Sequence, residues 1–248
     1  MGERPVVLVT GGSRGIGAAI VLAAAPTFDV VLNYAASDDA ASDVAERARA
    51  LGADVLVQRV DVADEPGVVA MFAAIDEHFG RLDGLVNNAG IAGGYGTIDV
   101  VDAGMLARLW AVNVTGAFVC AREATTRMRT DRGGRGGSIV NISSKAAVIG
   151  GPNEWIHYAA TKGAIDTLTA GLSKEVAHVG VRVNSVRPGL IESDFHLHAT
   201  PGRVERMAPI IPMQRAGSAD EVAAAVLWLL GPASSYTTGA FVDVTGGR

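Results

Sequence analysis

Short runs of consecutive apolar and β-branched residues alternate along the chain with longer stretches in which apolar positions recur at helical spacing. Pro5–Thr10, Asp29–Tyr34, Asp54–Val60, Leu82–Asn87, Gly137–Ser143, Val181–Arg187 and the short Ala240–Val244 are predicted strands. Gly15–Ala25, Asp38–Leu51, Glu65–Phe79, Asp102–Thr130, Glu154–Val179 and Ser218–Leu230 are predicted helices. Punctuation agrees with this: Pro26 stops the first helix, Gly52 and Gly80 close the next two, and Pro66 stands in the first turn of the third. Strands that are apolar on both faces, separated by helices, pair in parallel through βαβ crossovers. The pattern therefore predicts an α/β, Rossmann-type doubly wound parallel sheet of about seven strands with helices on both faces. No composition break divides the chain, so residues 1–248 read as one domain. The Gly-rich stretch Arg132–Gly137 reads as a flexible turn ahead of the fifth strand.

Composition narrows the class. The 248 residues are 49% hydrophobic and 19% charged, with net charge −5. A chain this apolar can bury a large core, which excludes disorder. The 31 Gly are an excess over the usual share, and having no triplet period they exclude collagen. The acidic balance argues against nucleic acid as a main partner. Cys120, the single Cys, permits no intrachain disulfide or multi-Cys metal site and reads as a buried core thiol. Val6–Val9 is too short for a signal-peptide core, Val6 itself removes a myristoylation reading of Met1-Gly2, and no unbroken apolar stretch reaches bilayer length. The expectation is a cytoplasmic protein with no membrane partner.

Thr10-Gly11-Gly12-Ser13-Arg14-Gly15-Ile16-Gly17 follows the first strand and opens the first helix. Gly11 suits a tight turn, Gly15 lets the backbone approach a pyrophosphate, and Gly17 lets the helix pack on the sheet. The helix N-terminus then offers free N–H groups and a positive dipole end to the phosphates. This loop in its strand–turn–helix context predicts dinucleotide binding through Gly11, Ser13, Arg14, Gly15, Ile16 and Gly17. Sites that read NAD place a carboxylate at the end of the second strand. Here that end reads Asn33-Tyr34-Ala35-Ala36-Ser37, with Asp38 and Asp39 falling into the next helix. The missing acid and the Arg14 guanidinium favour NADP(H), with NAD(H) as the alternative.

Tyr158 and Lys162 stand four residues apart on one helix face. An ammonium beside a phenol lowers the phenol's pKa and lets it exchange a proton near neutrality. Ser143 and Ser144 end the fifth strand, and Asn87–Gly90 ends the fourth, at the sheet edge where open α/β sheets bind ligands. Ser144 is placed to hold a substrate oxygen, with Ser143 as competitor. Asn113, a poor helix former, sits inside a predicted helix, and a broken local rule marks a functional position.

These motifs, with Arg187-Pro188-Gly189, resemble in order and spacing those of the short-chain dehydrogenase/reductase family, over nearly the whole chain. The resemblance implies Tyr158 as acid/base, and Lys162 tuning it and holding the nicotinamide ribose. It implies Ser144 orienting the substrate and Asn113 keeping a water in a proton relay. Asp61, Val62 and the Asn88, Ala89, Gly90 turn would contact adenine. Pro188, Gly189, Ile191 and Ser193 would hold the nicotinamide, and Ser37 with Ala35 would meet a 2′-phosphate. Residues 190–216 resemble a substrate lid, and the helices over 102–130 and 154–179 resemble those that pair in homotetramers or homodimers. Two departures stand out: Pro26–Asp29 lacks the usual Gly, and Ser144 to Tyr158 is one position longer than in many members.

The implied reaction is hydride transfer between a nicotinamide and a carbonyl or alcohol carbon, the substrate being a 3-oxoacyl thioester, a sugar such as glucose, or a small ketone. A non-catalytic dinucleotide sensor on the same fold is the alternative, and a cofactor-linked epimerase is disfavoured by chain length. His196-Leu-His198 lacks a third ligand, so no metal is expected. His157 points about 100° from Tyr158 on its helix. Trp110 and Trp228 read as helix packing residues, and Trp155 as lining the pocket or an interface.

Overall fold

The structure is a computed structural model that describes residues 4–192 and 202–248. Ser193, His196 and His198 lie outside the described residues.

Seven parallel strands form one sheet in the order β3-β2-β1-β4-β5-β6-β7. They are β1 (Val6–Val9), β2 (Asp29–Tyr34), β3 (Val55–Arg59), β4 (Gly84–Asn87), β5 (Gly137–Ile142), β6 (Val181–Pro188) and β7 (Phe241–Val244). Val7 pairs with Val30 on one side and Gly84 on the other, so β1 lies between β2 and β4. The chain runs outward in one direction through β3 and then returns to β4. This reversal opens a crevice at the carboxyl ends of β1 and β4.

The α-helices among the described residues are α1 (Gly15–Ala24), α2 (Asp38–Ala50), α3 (Glu65–Phe79), α4 (Ala103–Trp110), α5 (Gly116–Met128), α6 (Ala146–Ile149), α7 (Ile156–Val176), α8 (Arg203–Met207) and α9 (Ala219–Leu230). Two apolar layers result. One packs α1, α2 and α9 on the sheet through Ile20, Val44 and Val226; the other packs α3 and α5 on it through Phe72, Ile75 and Met128. Cys120 is buried in the second layer, as its apolar neighbours led us to expect, and burial pushes its thiol up to about 12.

Three sequence expectations change. The predicted helix over 102–130 is α4 and α5 joined through a π-turn at Ala111–Thr115 and ends at Met128. This run is long and apolar enough to cross a bilayer by length and composition, yet α5 packs on α3 and β4 and α4 on α7. Trp110 and Trp228 are exposed (41% and 44%) rather than packed, because the adjacent Leu109 and Leu229 take the buried positions and each Trp points about 100° away. The Arg132–Gly137 stretch is closely packed at Gly134, Gly136 and Gly137, where a Cβ on Gly134 would strike the Arg127 and Met128 backbone, while Arg132, Gly133 and Arg135 are exposed.

Candidate active site

The crevice holds a cavity of about 670 Å³. Its lining includes fourteen of the predicted residues: Gly11, Arg14, Gly15, Ile16 and Gly17 from the β1–α1 loop, Asn88, Ala89 and Gly90 after β4, Ser144, Tyr158 and Lys162, and Pro188, Gly189 and Ile191 after β6. Ser13, Ala35, Ser37, Asp61, Val62 and Asn113 do not line it.

At the β1–α1 end the backbone is the working surface. Gly11 takes a left-handed φ of +64°, and a Cβ on Gly17 would collide with the Gly11 carbonyl. Asn88 Nδ2 donates to the carbonyls of Thr10 (2.9 Å) and Gly11 (3.1 Å), while Thr10 Oγ1 accepts from the Asn88 and Ala89 amides (3.0 Å each). Asn88 and Thr10 thus brace the loop against the β4 turn. The buried Asn33 adds a brace that sequence reasoning missed: its Nδ2 donates to Val60 O at 2.9 Å, and its carbonyl accepts from Gly12 N at 2.7 Å. The first turn of α1 has no capping side chain and no acid, whereas α4 is capped by Asp102 and α9 by the Ser218–Glu221 box. The first amides of α1 therefore have no capping side chain to accept from them, as an anion site requires. A glycine cradle with no room for a Cβ at Gly17, closed by a helix N-terminus left open, fits a dinucleotide pyrophosphate.

The end of β2 carries no carboxylate. Asp38 accepts from the Tyr34 hydroxyl at 2.8 Å and pairs with Arg59 at 3.1 Å, so it is turned to its own neighbours. Arg59, at the end of β3, brings a second guanidinium beside Ala35, donating to its carbonyl at 3.4 Å. The β2–β3 register that pairs Tyr34 with Arg59 was not visible in the sequence. Arg14 is exposed at the N-cap of α1. Asp61 is ion-paired with Arg108 at 2.6 Å. Desolvation raises its pKa, but the Ala63 amide and Arg108 outweigh that and hold it below the usual carboxylate range.

The far end is built from side chains. The Ser144 and Tyr158 hydroxyls are hydrogen-bonded to each other. Ser144 Oγ also accepts from Ala146 N at 3.1 Å. Ser143 also lines the cavity, but its side chain is buried and its hydroxyl is engaged, donating to the Lys162 carbonyl at 3.1 Å. Lys162 Nζ donates to Ile142 O at 2.8 Å and lies 5.6 Å from the centre of the Tyr158 ring. Burial pulls the Lys162 ammonium down to about 8 against the opposing pull of Asp166.

The phenol differs from expectation. Burial pushes Tyr158 up to about 12, with the Ser144 bond opposing, where the nearby ammonium predicted a lowered value. Desolvation of the phenolate outweighs a lysine whose Nζ is engaged by Ile142 O.

Asn113 occupies the π-turn and is buried. Its Oδ1 accepts from Ile91 N (2.8 Å), and its Nδ2 donates to Ile91 O (2.9 Å) and Thr161 Oγ1 (3.1 Å). The side chain clasps the loop after β4 to α7, one residue before Lys162. The broken helical rule at this residue coincides with a π-turn, a common mark of functional sites. Gly90 stands at this end too, its Cβ direction within 3.6 Å of Lys162 Nζ.

Of the predicted lid, Gly217 N donates to Leu190 O and Glu192 N to Gly217 O, both at 2.9 Å, which fastens the segment's base. His157 is buried, with Nε2 3.2 Å from Gly94 O. Trp155 lines the cavity. Arg203 and Met207, within the segment read as a lid, line it too, and so do Glu154 and Arg248, which were not anticipated. Among the described residues no cluster of three or more His, Cys, Asp or Glu could hold a metal.

Residues 11–248 match a family model described as Enoyl-(Acyl carrier protein) reductase. An uncharacterized oxidoreductase of Escherichia coli, YgfF, is 50% identical over 98% of this chain and 99% of its own length. The 3-oxoacyl-[acyl-carrier-protein] reductase FabG of Staphylococcus aureus is 37% identical over 97% and 96%. Among solved structures, a short-chain dehydrogenase/reductase from Serratia marcescens superposes with TM-score 0.90 at 34% identity, covering 98% of this chain and 97% of that one. A short-chain type dehydrogenase/reductase from Mycobacterium marinum superposes with TM-score 0.92 at 32% identity, covering 98% and 94%.

Proposed function

Because the chain belongs to the short-chain dehydrogenase/reductase family, we propose that this oxidoreductase is an NADPH-dependent carbonyl reductase in which Tyr158 protonates the substrate oxygen. The reading rests on one observation: the Ser144–Tyr158 hydroxyl pair and Lys162 open onto the same cavity as the glycine cradle.

The nicotinamide, when bound, supplies the hydride to the carbonyl carbon. The protein's own groups do the rest. The backbone of Gly11 to Gly17, including Ser13 and Ile16, holds the diphosphate at the N-terminus of α1. Arg14, with Ala35 and Ser37, receives the 2′-phosphate, and Arg59 adds positive charge there. Asp61 and Val62 would flank the adenine. Pro188, Gly189 and Ile191 would flank the nicotinamide, and Lys162 would hold its ribose. Ser144 fixes the substrate oxygen beside Tyr158, whose proton passes to it as the carbonyl becomes an alcohol. A phenol held at about 12 keeps its proton at neutral pH, which suits donation and so the reductive direction. The FabG relative is named a 3-oxoacyl-[acyl-carrier-protein] reductase, so a 3-oxoacyl thioester is the first substrate to offer.

The test is a panel of ketones, 3-oxoacyl thioesters, sugars and an enoyl thioester, each with NADPH and NADH, followed at the nicotinamide absorbance. Carbonyl compounds should be reduced with NADPH preferred. Reduction of the enoyl thioester and of none of the carbonyl compounds would overturn the carbonyl reductase reading in favour of an enoyl reductase. Tight NADPH binding without turnover on any member would favour a dinucleotide sensor. We further propose a homo-oligomer in which α4, α5 and α7 pair across copies, supported by the exposed Trp110, Phe118 and Ile156; light scattering showing a monomer would reject it.

A further inference from the structure

The cavity carries a charged pair that hydride and proton transfer do not use. Arg203, the first residue of α8, is 92% buried, and its Nε and Nη2 fork onto Glu154 Oε1 and Oε2 at 3.0 and 2.7 Å. The guanidinium lies over the Trp155 ring, 4.7 Å from its centre, and Tyr95 meets that ring edge-on at 5.3 Å. The Glu154 carbonyl accepts from Gly96 N at 2.9 Å, tying in the Gly93–Gly96 loop. All four side chains line the cavity, together with the apolar Ile149, Pro152, Leu190 and Met207. The loop that delivers Glu154 and Trp155 runs between α6 and α7, where the spacing from Ser144 to Tyr158 is one residue long. It bends through left-handed residues at Gly150, Gly151 and Asn153 (φ +79°, +56° and +63°).

We infer that Glu154, through its pair with Arg203, determines the substrate class: an uncharged carbonyl compound with an apolar or aromatic body, such as a ketone, an ester or a thioester, and not an oxo acid or a sugar. The inference rests on the carbonyl reductase reading above. An arginine fork facing a reaction cavity is a ready receptor for a carboxylate. Here the fork is occupied by Glu154, so the pair is neutral, and an incoming carboxylate meets a negative charge where it would have found a positive one. Like charges brought together in a site of low polarity are strongly disfavoured. A sugar fares badly for another reason: its hydroxyls would face Ile149, Leu190, Met207 and the Trp155 ring without partners. A neutral acyl chain or aromatic ring loses nothing against that wall.

The probes are ethyl acetoacetate and acetoacetate, which share the reacting ketone and differ in one charge. With NADPH, the wild-type protein should favour the ester by at least about tenfold in kcat/KM, since one charge contact of ordinary strength corresponds to a tenfold step. Glu154→Gln raises the local charge by one and keeps the side-chain shape. It should move the ester-to-acid ratio at least about tenfold toward the acid. Arg203→Met lowers the local charge by one and should move the ratio the opposite way. A ratio that shifts less than about threefold in both variants overturns the inference. Binding gives a second readout: quenching of tryptophan fluorescence by each probe, with Trp155→Phe as the blank. If neither probe is turned over but quenching still favours the ester and responds to Glu154→Gln, the reductase reading fails and the selectivity stands. If both are turned over and the ratio ignores Glu154, the selectivity fails and the reductase reading stands.

Discussion

At the β1–α1 end of the cavity the groups available to a ligand are backbone amides held in place by absences: no Cβ at Gly11, Gly15 or Gly17, and no capping side chain on α1. At the α7 end they are side chains, and each is displaced from its ordinary chemistry by burial, Lys162 down to about 8 and Tyr158 up to about 12. The first end works through fixed dipoles that do not titrate. The second works through protons and depends on what desolvates it. Binding and turnover should therefore separate cleanly under mutation.

Tyr158→Phe tests that separation most sharply. It deletes the proton donor and leaves the glycine cradle untouched, so turnover should fall by about 10³ while NADPH affinity changes little, a positioned acid contributing about 10²–10⁴. Rate measurements beside a fluorescence titration of NADPH check it; near-normal turnover would remove Tyr158 from the chemistry. Ser144→Ala should cost about 10² in kcat, the scale of losing one polar group aimed at the reacting oxygen.

Proton dependence comes next. Lys162 is charged below about 8, and its charge is what favours a phenolate beside it once the proton has left. Reduction should hold up to about pH 8 and fall about tenfold per unit above it; a profile flat to pH 10 would take the ammonium out of the mechanism. Stability moves differently. Between about 8 and 10.5 the unfolded chain binds the Lys162 proton more tightly, so this group's contribution to stability rises with pH across that window. Tyr158 has the opposite sign, and its contribution is lost between 10 and about 12. At the other end, Arg14→Ala should weaken NADPH about tenfold and leave NADH nearly unchanged, one charged contact being worth a tenfold step; equal loss for both cofactors would show that Arg14 does not read the 2′-phosphate.

The two ends also differ in how far the sequence reveals them. The cradle is legible because its requirement is local: four glycines within seven residues, directly after an apolar strand. Tyr158 and Lys162 are legible because one turn of helix fixes their shared face. Asn113 was marked by its poor helix propensity, but the π-turn that accommodates it depends on Ile91 and Thr161, far away in the chain. The Tyr158 shift runs against the sequence expectation because adjacency to a cation is visible in the sequence and desolvation is not. Glu154 and Arg203 carry no periodic signal at all; 49 residues separate them, and only the placement of α8 brings them together.

Adjacent serines show the limit at its smallest scale. The sequence could not choose between Ser143 and Ser144, since both end β5 and alternation sends one to each side. Ser143 is the one turned inward, donating to the Lys162 carbonyl. Ser143→Ala removes that buried bond without touching the Tyr158 hydroxyl. The cost should be about 1 kcal/mol of stability, the usual net worth of such a bond, or about 2–4 °C in Tm for a chain of this length. Turnover should stay within about threefold, because Lys162 keeps its bond to Ile142 O and the Ser144–Tyr158 pair is intact. Thermal unfolding and steady-state rates on Ser143→Ala and Ser144→Ala together decide it. A large rate loss in Ser143→Ala with a mild one in Ser144→Ala would reverse the assignment, and with it the claim that the proton-handling end is defined by which side of β5 a hydroxyl faces.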